Sequence, residues 1–273
     1  MKKLLSIEWL KLKHYGAFKV LAIFFVVGVI LTNYLVYIFN KNVIGKSEGA
    51  QMLSFSPYSF NNTWQTTSYA TGFLIILPAM LLIIIITNEY TFKTNRQNII
   101  DGWSRHEFIS VKLVLALLFA VVSTILVILT ALGFGFASGT SFGLNGVSHV
   151  GFFFLKALTY CLFAVLISVI IKKTGFAIGL YMIYVVLENF VSQMLDIGSI
   201  KLKKDTGADL GSVGDYLPLN ASDGLLTFPE NPLKTMAKSV LPTDYTWLVV
   251  AFAIFYIVLF VVWSRKKYTN ADL

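Results

Sequence analysis

Six apolar runs of membrane-crossing length constrain this chain more than any other feature. They fall at about 17–39, 68–88, 108–136, 150–171, 174–195 and 245–263. A helix needs roughly 20 apolar residues to cross a bilayer. Backbone groups in lipid must be satisfied within their own segment, so each run is expected to be helical. Composition agrees, with 56% hydrophobic and 13% charged residues, about half the charge of an average soluble domain. The chain therefore reads as an all-α integral membrane protein with six transmembrane helices in one domain, 1–273. The basic N-terminus ahead of the first run superficially resembles a secretory signal. No small-residue cleavage site follows it, so the run is expected to stay as an anchor.

Orientation follows from the lysines and arginines. With both termini cytoplasmic, the inner side carries 14 basic and 5 acidic residues, against 7 basic and 8 acidic outside. The net charge of +8 is then a topology signal, and no nucleic-acid partner is expected. Trp9, Trp64, Trp103, Trp247 and Trp263 fall at the expected membrane–water boundaries, where an amphipathic indole is favoured. This layout fits a multi-pass protein of a bacterial inner (plasma) membrane, in contact with membrane lipids.

Residues 1–16 are expected to form an interfacial helix with Leu5, Trp9 and Leu12 on one face, or else to extend the first span. Residues 196–244 are expected to form the largest outer loop, with a short helix near 232–240. Lys172 and Lys173 alone separate spans four and five, which predicts a tight antiparallel hairpin. Pro78 should kink span two. Gly133, Gly135, Gly139 and Gly143 predict either a close packing face or a flexible turn.

Few residue types that do chemistry are available. Gly45-Lys46-Ser47 matches the tail of a phosphate-binding loop, but the Gly required five positions earlier is Asn40. His14, His106 and His149 lie far apart, and Cys161 is alone in an apolar run, so no metal site or catalytic residue is expected. Lys156 and Glu188 are ionisable residues inside spans four and five, about 9 and 12 Å from the outer ends at 1.5 Å per residue. They are candidates for a structural pair across the hairpin, for a place in a substrate path, or for neither.

The stretch from Asn88 to Lys112 stands out as polar, dense in positive charge and rich in local structure signals. A short helix over Phe92–Asp101 is expected to end at Gly102 in a left-handed cap. Ser104 and Glu107 then form a capping box ahead of span three. The expected result is a rigid helix–turn–helix at the membrane surface.

This stretch, from Glu89 through Thr94 and Arg96 to Gly102-Trp103-Ser104-Arg105, resembles the first cytoplasmic loop of type 2 ATP-binding cassette permeases. The six-span layout is similar as well. Two positions depart from the family pattern: Lys93 stands where a Gly is usual, and Gly102-Trp103 where a Pro is frequent. The resemblance implies an exporter permease that dimerises with a second copy or a homologous permease. It implies a cytoplasmic coupling helix between spans two and three that docks on a separate ATP-binding cassette ATPase. The partner would bind ATP and Mg, leaving this chain with no cofactor. Glu89, Thr94, Arg96, Gln97, Asp101 and Arg105 would be the coupling residues. Two other readings stay open: a non-transporting scaffold or immunity-type protein, and an ion-coupled secondary transporter, which would want more ionisable residues near mid-membrane.

Overall fold

The computed structural model describes residues 2–39, 56–100, 102–229, 243 and 245–270. The chain enters as α1 (Lys2–His14), breaks at Tyr15, and continues as α2 (Gly16–Phe39). Span two is a pair of helices, α3 (Phe60–Gly72) and α4 (Ile76–Thr91). The short α5 (Thr94–Ile100) leads to the long α6 (Arg105–Ala137). Then come α7 (Ser148–Ile171), α8 (Thr174–Thr206), a 3-10 turn at Val213–Tyr216, the one-turn α9 (Asn220–Asp223), and α10 (Thr246–Thr269). No strand occurs among the described residues, and six helical segments are long and apolar enough to cross a membrane. Residues 40–55 and 230–242, which include the Gly45-Lys46-Ser47 triplet and the helix expected near 232–240, lie outside the described residues.

Span four is the hub of the bundle. Along α7, Phe153, Ala157, Cys161, Ala164, Val165 and Val169 are fully enclosed, and α4, α6 and α10 pack around it. The outer helices α2, α8 and α10 instead leave most of their apolar side chains uncovered, including Ile23, Phe24, Phe190 and Phe255. A lipid-facing helix does this because hydrocarbon is as good a solvent for those side chains as the protein interior.

Two boundaries differ from expectation. Helix α3 begins at Phe60, eight residues before the expected start of span two, and its Thr63, Thr66, Thr67, Ser68 and Thr71 are buried. Threonine and serine carry no hydropathy signal, yet they fit inside a bundle when their hydroxyls bond backbone carbonyls. Thr63 Oγ1 donates to Ala131 O at 3.3 Å and Thr66 Oγ1 to Pro57 O at 2.7 Å. Trp64 is consequently a core residue, its Nε1 donating to Gly143 O at 2.9 Å, not the boundary anchor expected. Helix α8 likewise runs eleven residues past 195 to Thr206, so the outer loop starts later than expected.

Span two breaks at residues 73–75, one turn before Pro78. Proline has no N–H for the Leu74 carbonyl, which instead accepts from Leu77 N at 3.0 Å. Pro78 itself sits in the first turn of α4, where the missing donor costs little. The α7–α8 junction is as tight as expected: Lys172 adopts φ 56° and α8 restarts at Thr174. The glycines divide between the two readings. A Cβ on Gly135 would lie 2.7 Å from Phe60 Cε1, so that position needs a close approach, whereas Gly139 has φ +71° and turns the chain.

Candidate functional site

The hairpin joining α4 to α6 is specified by local chemistry at each corner. Lys93 takes φ 57° and lets α5 start at Thr94. At its far end Trp103 N donates to Asn98 O at 3.0 Å and Gly102 N to Ile99 O at 3.1 Å, with Gly102 at φ +97°. Those two bonds make the paired left-handed helix stop in which glycine meets no Cβ penalty. Ser104 Oγ then accepts from Glu107 N at 3.1 Å while Ser104 N donates to Glu107 Oε2 at 2.9 Å. This reciprocal box satisfies two of the orphan donors that open α6. Both caps follow the pattern expected from the residues.

Beneath the hairpin lies a closed ring of four charges. Lys112 Nζ sits 2.7 Å from Glu8 Oε2 and 2.8 Å from Glu89 Oε1. Lys11 Nζ completes the ring at 3.1 Å from Glu8 Oε1 and 2.9 Å from Glu89 Oε1. Lys112 has no exposed surface and also lies 5.0 Å above the Phe108 ring. Two cations alternate with two carboxylates, so the ring is neutral as a unit. It ties α1, the end of α4 and the start of α6 together.

Glu8 is the surprise on α1. The buried stripe of that helix runs through Glu8 and Leu12, four residues apart, while Trp9 stays exposed. Burial by itself would raise the Glu8 carboxyl, but Lys112 and Lys11 outweigh it and hold the group below its ordinary 4.5. Burial would also lower Lys11, yet Glu89 and Glu8 hold its ammonium above 10.5. The Glu8 contribution is fully present above pH 4.5 and lost as pH falls through the depressed value. The Lys11 contribution is fully present below pH 10.5 and lost as pH rises through the elevated one. The melting temperature of purified wild type should therefore exceed that of Glu8→Gln by a constant margin from pH 5 to 9. That margin should shrink towards pH 3, as thermal scans across pH will read directly.

Of the expected coupling residues, Glu89 lies in this ring. The Thr94 hydroxyl approaches the Glu89 carbonyl at 3.5 Å. Arg96 is placed on α5 by its backbone, and Gln97 on α5 is exposed. Asp101 lies outside the described residues. Arg105 Nη1 donates to Thr269 O at 2.9 Å, so it attaches the hairpin to the end of α10. Phe108 stacks on Tyr268 beside it, with centroids 4.8 Å apart and planes 10° from parallel. Lys172 Nζ lies 5.6 Å above the Tyr90 ring. The start of the chain, the hairpin, the α7–α8 turn and the end of α10 thus share one end of the bundle.

At the opposite end, Lys156 and Glu188 do not pair with one another as one sequence reading had it. Lys156 Nζ lies 3.2 Å from Asp223 Oδ1. Glu188 Oε1 accepts from Leu219 N at 2.6 Å, Asn220 N at 2.8 Å and Asn220 Nδ2 at 3.1 Å. Hydrogen bonds from backbone N–H groups to a carboxylate oxygen are among the stronger ones a protein makes. Tyr160 OH adds a 2.8 Å bond to Asp223 Oδ2. Both intramembrane charges therefore hold the same segment, 219–223, inside the bundle. The packing of Asn220 and Asp223 inside the bundle was not legible in sequence, because a segment that folds back between helices has no hydropathy pattern.

This arrangement gives a direct test of the segment's anchoring. Glu188→Ala strands the Leu219 and Asn220 N–H groups at about 1–3 kcal/mol each, while Glu188→Gln keeps an acceptor oxygen. In a Ser222→Cys background, labelling by a membrane-impermeant maleimide should rise with Glu188→Ala and stay low with Glu188→Gln. The native Cys161 is buried and gives little background. Equal labelling of both variants would mean that Glu188 does not hold the segment.

Comparison with protein families supplies the deciding observation: the model for ABC-2 family transporter proteins matches residues 4–188, from α1 through the first four spans and into α8, the fifth. The chain belongs to the ABC-2 transporter family. No curated protein matches the chain. Family membership makes it a component of a membrane transporter, and its six apolar helices make it a multi-pass membrane protein. The match covers the charge ring and the capped hairpin, and its last residue is Glu188.

Proposed function

We propose that this ABC-2 chain is the permease of an ATP-driven exporter, with α5 as its coupling helix and the ATPase on a separate subunit. In this reading both termini and the hairpin face the cytoplasm of a bacterial cell, and a second permease copy completes the transporter. The observation that carries it is the mechanical join of the hairpin. A docked partner can move spans two and three only through a stiff connection. Here the Gly102 stop, the Ser104 box, the charge ring and the Arg105–Thr269 bond brace a seven-residue helix on both sides.

Exposed apolar residues at the two ends of that helix support the same reading. Ile100 is 84% exposed and Phe92 72% exposed, so apolar side chains stand out at the turn of a charged hairpin. Such residues are the usual anchors where a short helix enters a partner's groove. The ion-coupled alternative loses its main candidates, because Lys156 and Glu188 are engaged with residues 219–223.

Copurification tests the proposal. Wild type, affinity-purified from its native membranes, should bring down an ATP-binding cassette ATPase, and Arg96→Glu should release it at unchanged permease yield. Retention of the ATPase with full ATPase rate in Arg96→Glu would count against docking at α5. Arg105→Glu is a separate probe, because it also removes the bond to Thr269.

A further inference from the structure

We infer that a groove between α1–α2 and α4–α6 is a seat for one acyl chain of an anionic membrane phospholipid. The groove encloses about 460 Å³ and is lined among others by Trp9, Leu12, Phe25, Leu81, Phe119 and Leu126. An apolar cavity of about 150 Å³ already takes up benzene in place of water, and this one is roughly three times larger. Within a bilayer such a space is filled by whatever apolar chain can reach it.

Length and charge together select the occupant. The groove is lined on α6 from Leu115 to Leu126, which at 1.5 Å per residue is about 16 Å. That is close to half of a hydrocarbon core about 30 Å thick, so the groove is one leaflet deep. Its upper end is bounded by Trp9 and Leu12 of α1. Lys13 falls one turn beyond Trp9 on the same side of α1, and Lys19 lies two turns before the lining residue Val26 on α2. Both lysines are exposed, and no acidic residue occurs between Glu8 and Glu48. A wholly apolar slot with lysines near its upper end matches a hydrocarbon tail carrying a negative headgroup.

The seat has a consequence for the charge ring. Leu12 lines the groove and is also buried beside Lys11, whose ammonium closes the ring. A chain in the groove therefore supports α1 from below while the ring holds it from the side. This inference rests on the groove and its rim, not on the docking of an ATPase.

Native mass spectrometry of the full chain, extracted from membranes containing phosphatidylglycerol and phosphatidylethanolamine, tests it. Wild type should retain one phosphatidylglycerol in preference to phosphatidylethanolamine. Ala22→Phe, which fills the slot, should lose the bound lipid. Lys13→Gln and Lys19→Gln should each weaken phosphatidylglycerol retention roughly fivefold, the equivalent of the ~1 kcal/mol that a basic residue contributes at an anionic surface. If Ala22→Phe fails to fold, Val26→Trp fills the slot from its open side, and the lysine variants leave the core untouched. Equal phosphatidylglycerol retention by wild type and the filled variants, or no headgroup preference in wild type, overturns the inference.

Discussion

Replacing Lys112 with methionine is expected to cost this protein more than any other single exchange. Lys112 has no exposed surface, and its ammonium contacts Glu8 and Glu89 at 2.7 and 2.8 Å. Methionine matches the stem of the side chain, so packing is largely preserved. The two carboxylates are then left with Lys11 alone, and removing one partner from a buried ion pair costs about 3–5 kcal/mol. Folded yield in mild detergent should collapse, or the melting temperature should fall steeply. Adding Glu8→Gln should recover part of the loss, because it removes the charge stranded by the first change. A double-mutant cycle of the two substitutions reads that recovery as a coupling energy. Strict additivity of the two effects would dissolve the ring as a structural unit.

The second large effect is expected on activity without one on folding. Ile100→Asp places a charge on an 84% exposed position of α5, where no packing is disturbed. The fold should therefore tolerate it within about 0.5 kcal/mol, as for most surface exchanges. If Ile100 enters an apolar pocket on an ATPase, burying the new carboxylate there without a partner is severely unfavourable. Transport and stimulated ATP turnover should then fall by more than tenfold, on the scale of a lost interface anchor of about 2 kcal/mol. Thr91→Asp, also exposed but preceding α5 at the end of α4, serves as the control and should behave nearly as wild type. Equal loss in both variants would point to a general effect of negative charge at this end of the bundle.

These two predictions rest on features that differed in how far the residues announced them. The Gly102 stop and the Ser104–Glu107 box were legible because each is decided within five residues of chain. The six spans were legible because hydropathy is a sum over a window, and the α7–α8 turn because two lysines interrupt otherwise continuous apolar sequence. The charge ring was not legible, since Lys112 and Glu8 are 104 positions apart and only packing of α1 brings them together. The one available hint was Lys112 itself, a cation inside an apolar run that must find a partner or reach water. The expectation of a hairpin at the membrane surface named no partner for it.

The end of the bundle away from the hairpin was harder to read for a related reason. Asn33 is fully buried in α2, donating to Thr71 Oγ1 at 3.2 Å, and Tyr58 OH donates to Asn33 O at 2.9 Å. Such uncharged polar contacts join α2 to α3 without leaving any periodic trace in sequence. Lys156 and Glu188 were singled out correctly as unusual, but their partners lie in residues 219–223, which carry no signal that they pack inside the bundle. Charge in a span predicts that a partner exists more reliably than it predicts which residue that partner is.

The central claim is that α5 is the surface through which an ATPase moves this permease, and a site-directed crosslink tests it most directly. Gln97 is exposed on α5, and the native Cys161 is buried, so Gln97→Cys offers one reactive thiol. In membranes containing the coexpressed ATPase, a short thiol–amine crosslinker should join Gln97→Cys to that subunit and block ATP-driven transport until the link is cleaved. A cysteine at Ser141, near the opposite end of the bundle, should give no such product. Failure of Gln97→Cys to crosslink while transport remains ATP-driven, or equal crosslinking from Ser141→Cys, would contradict the account.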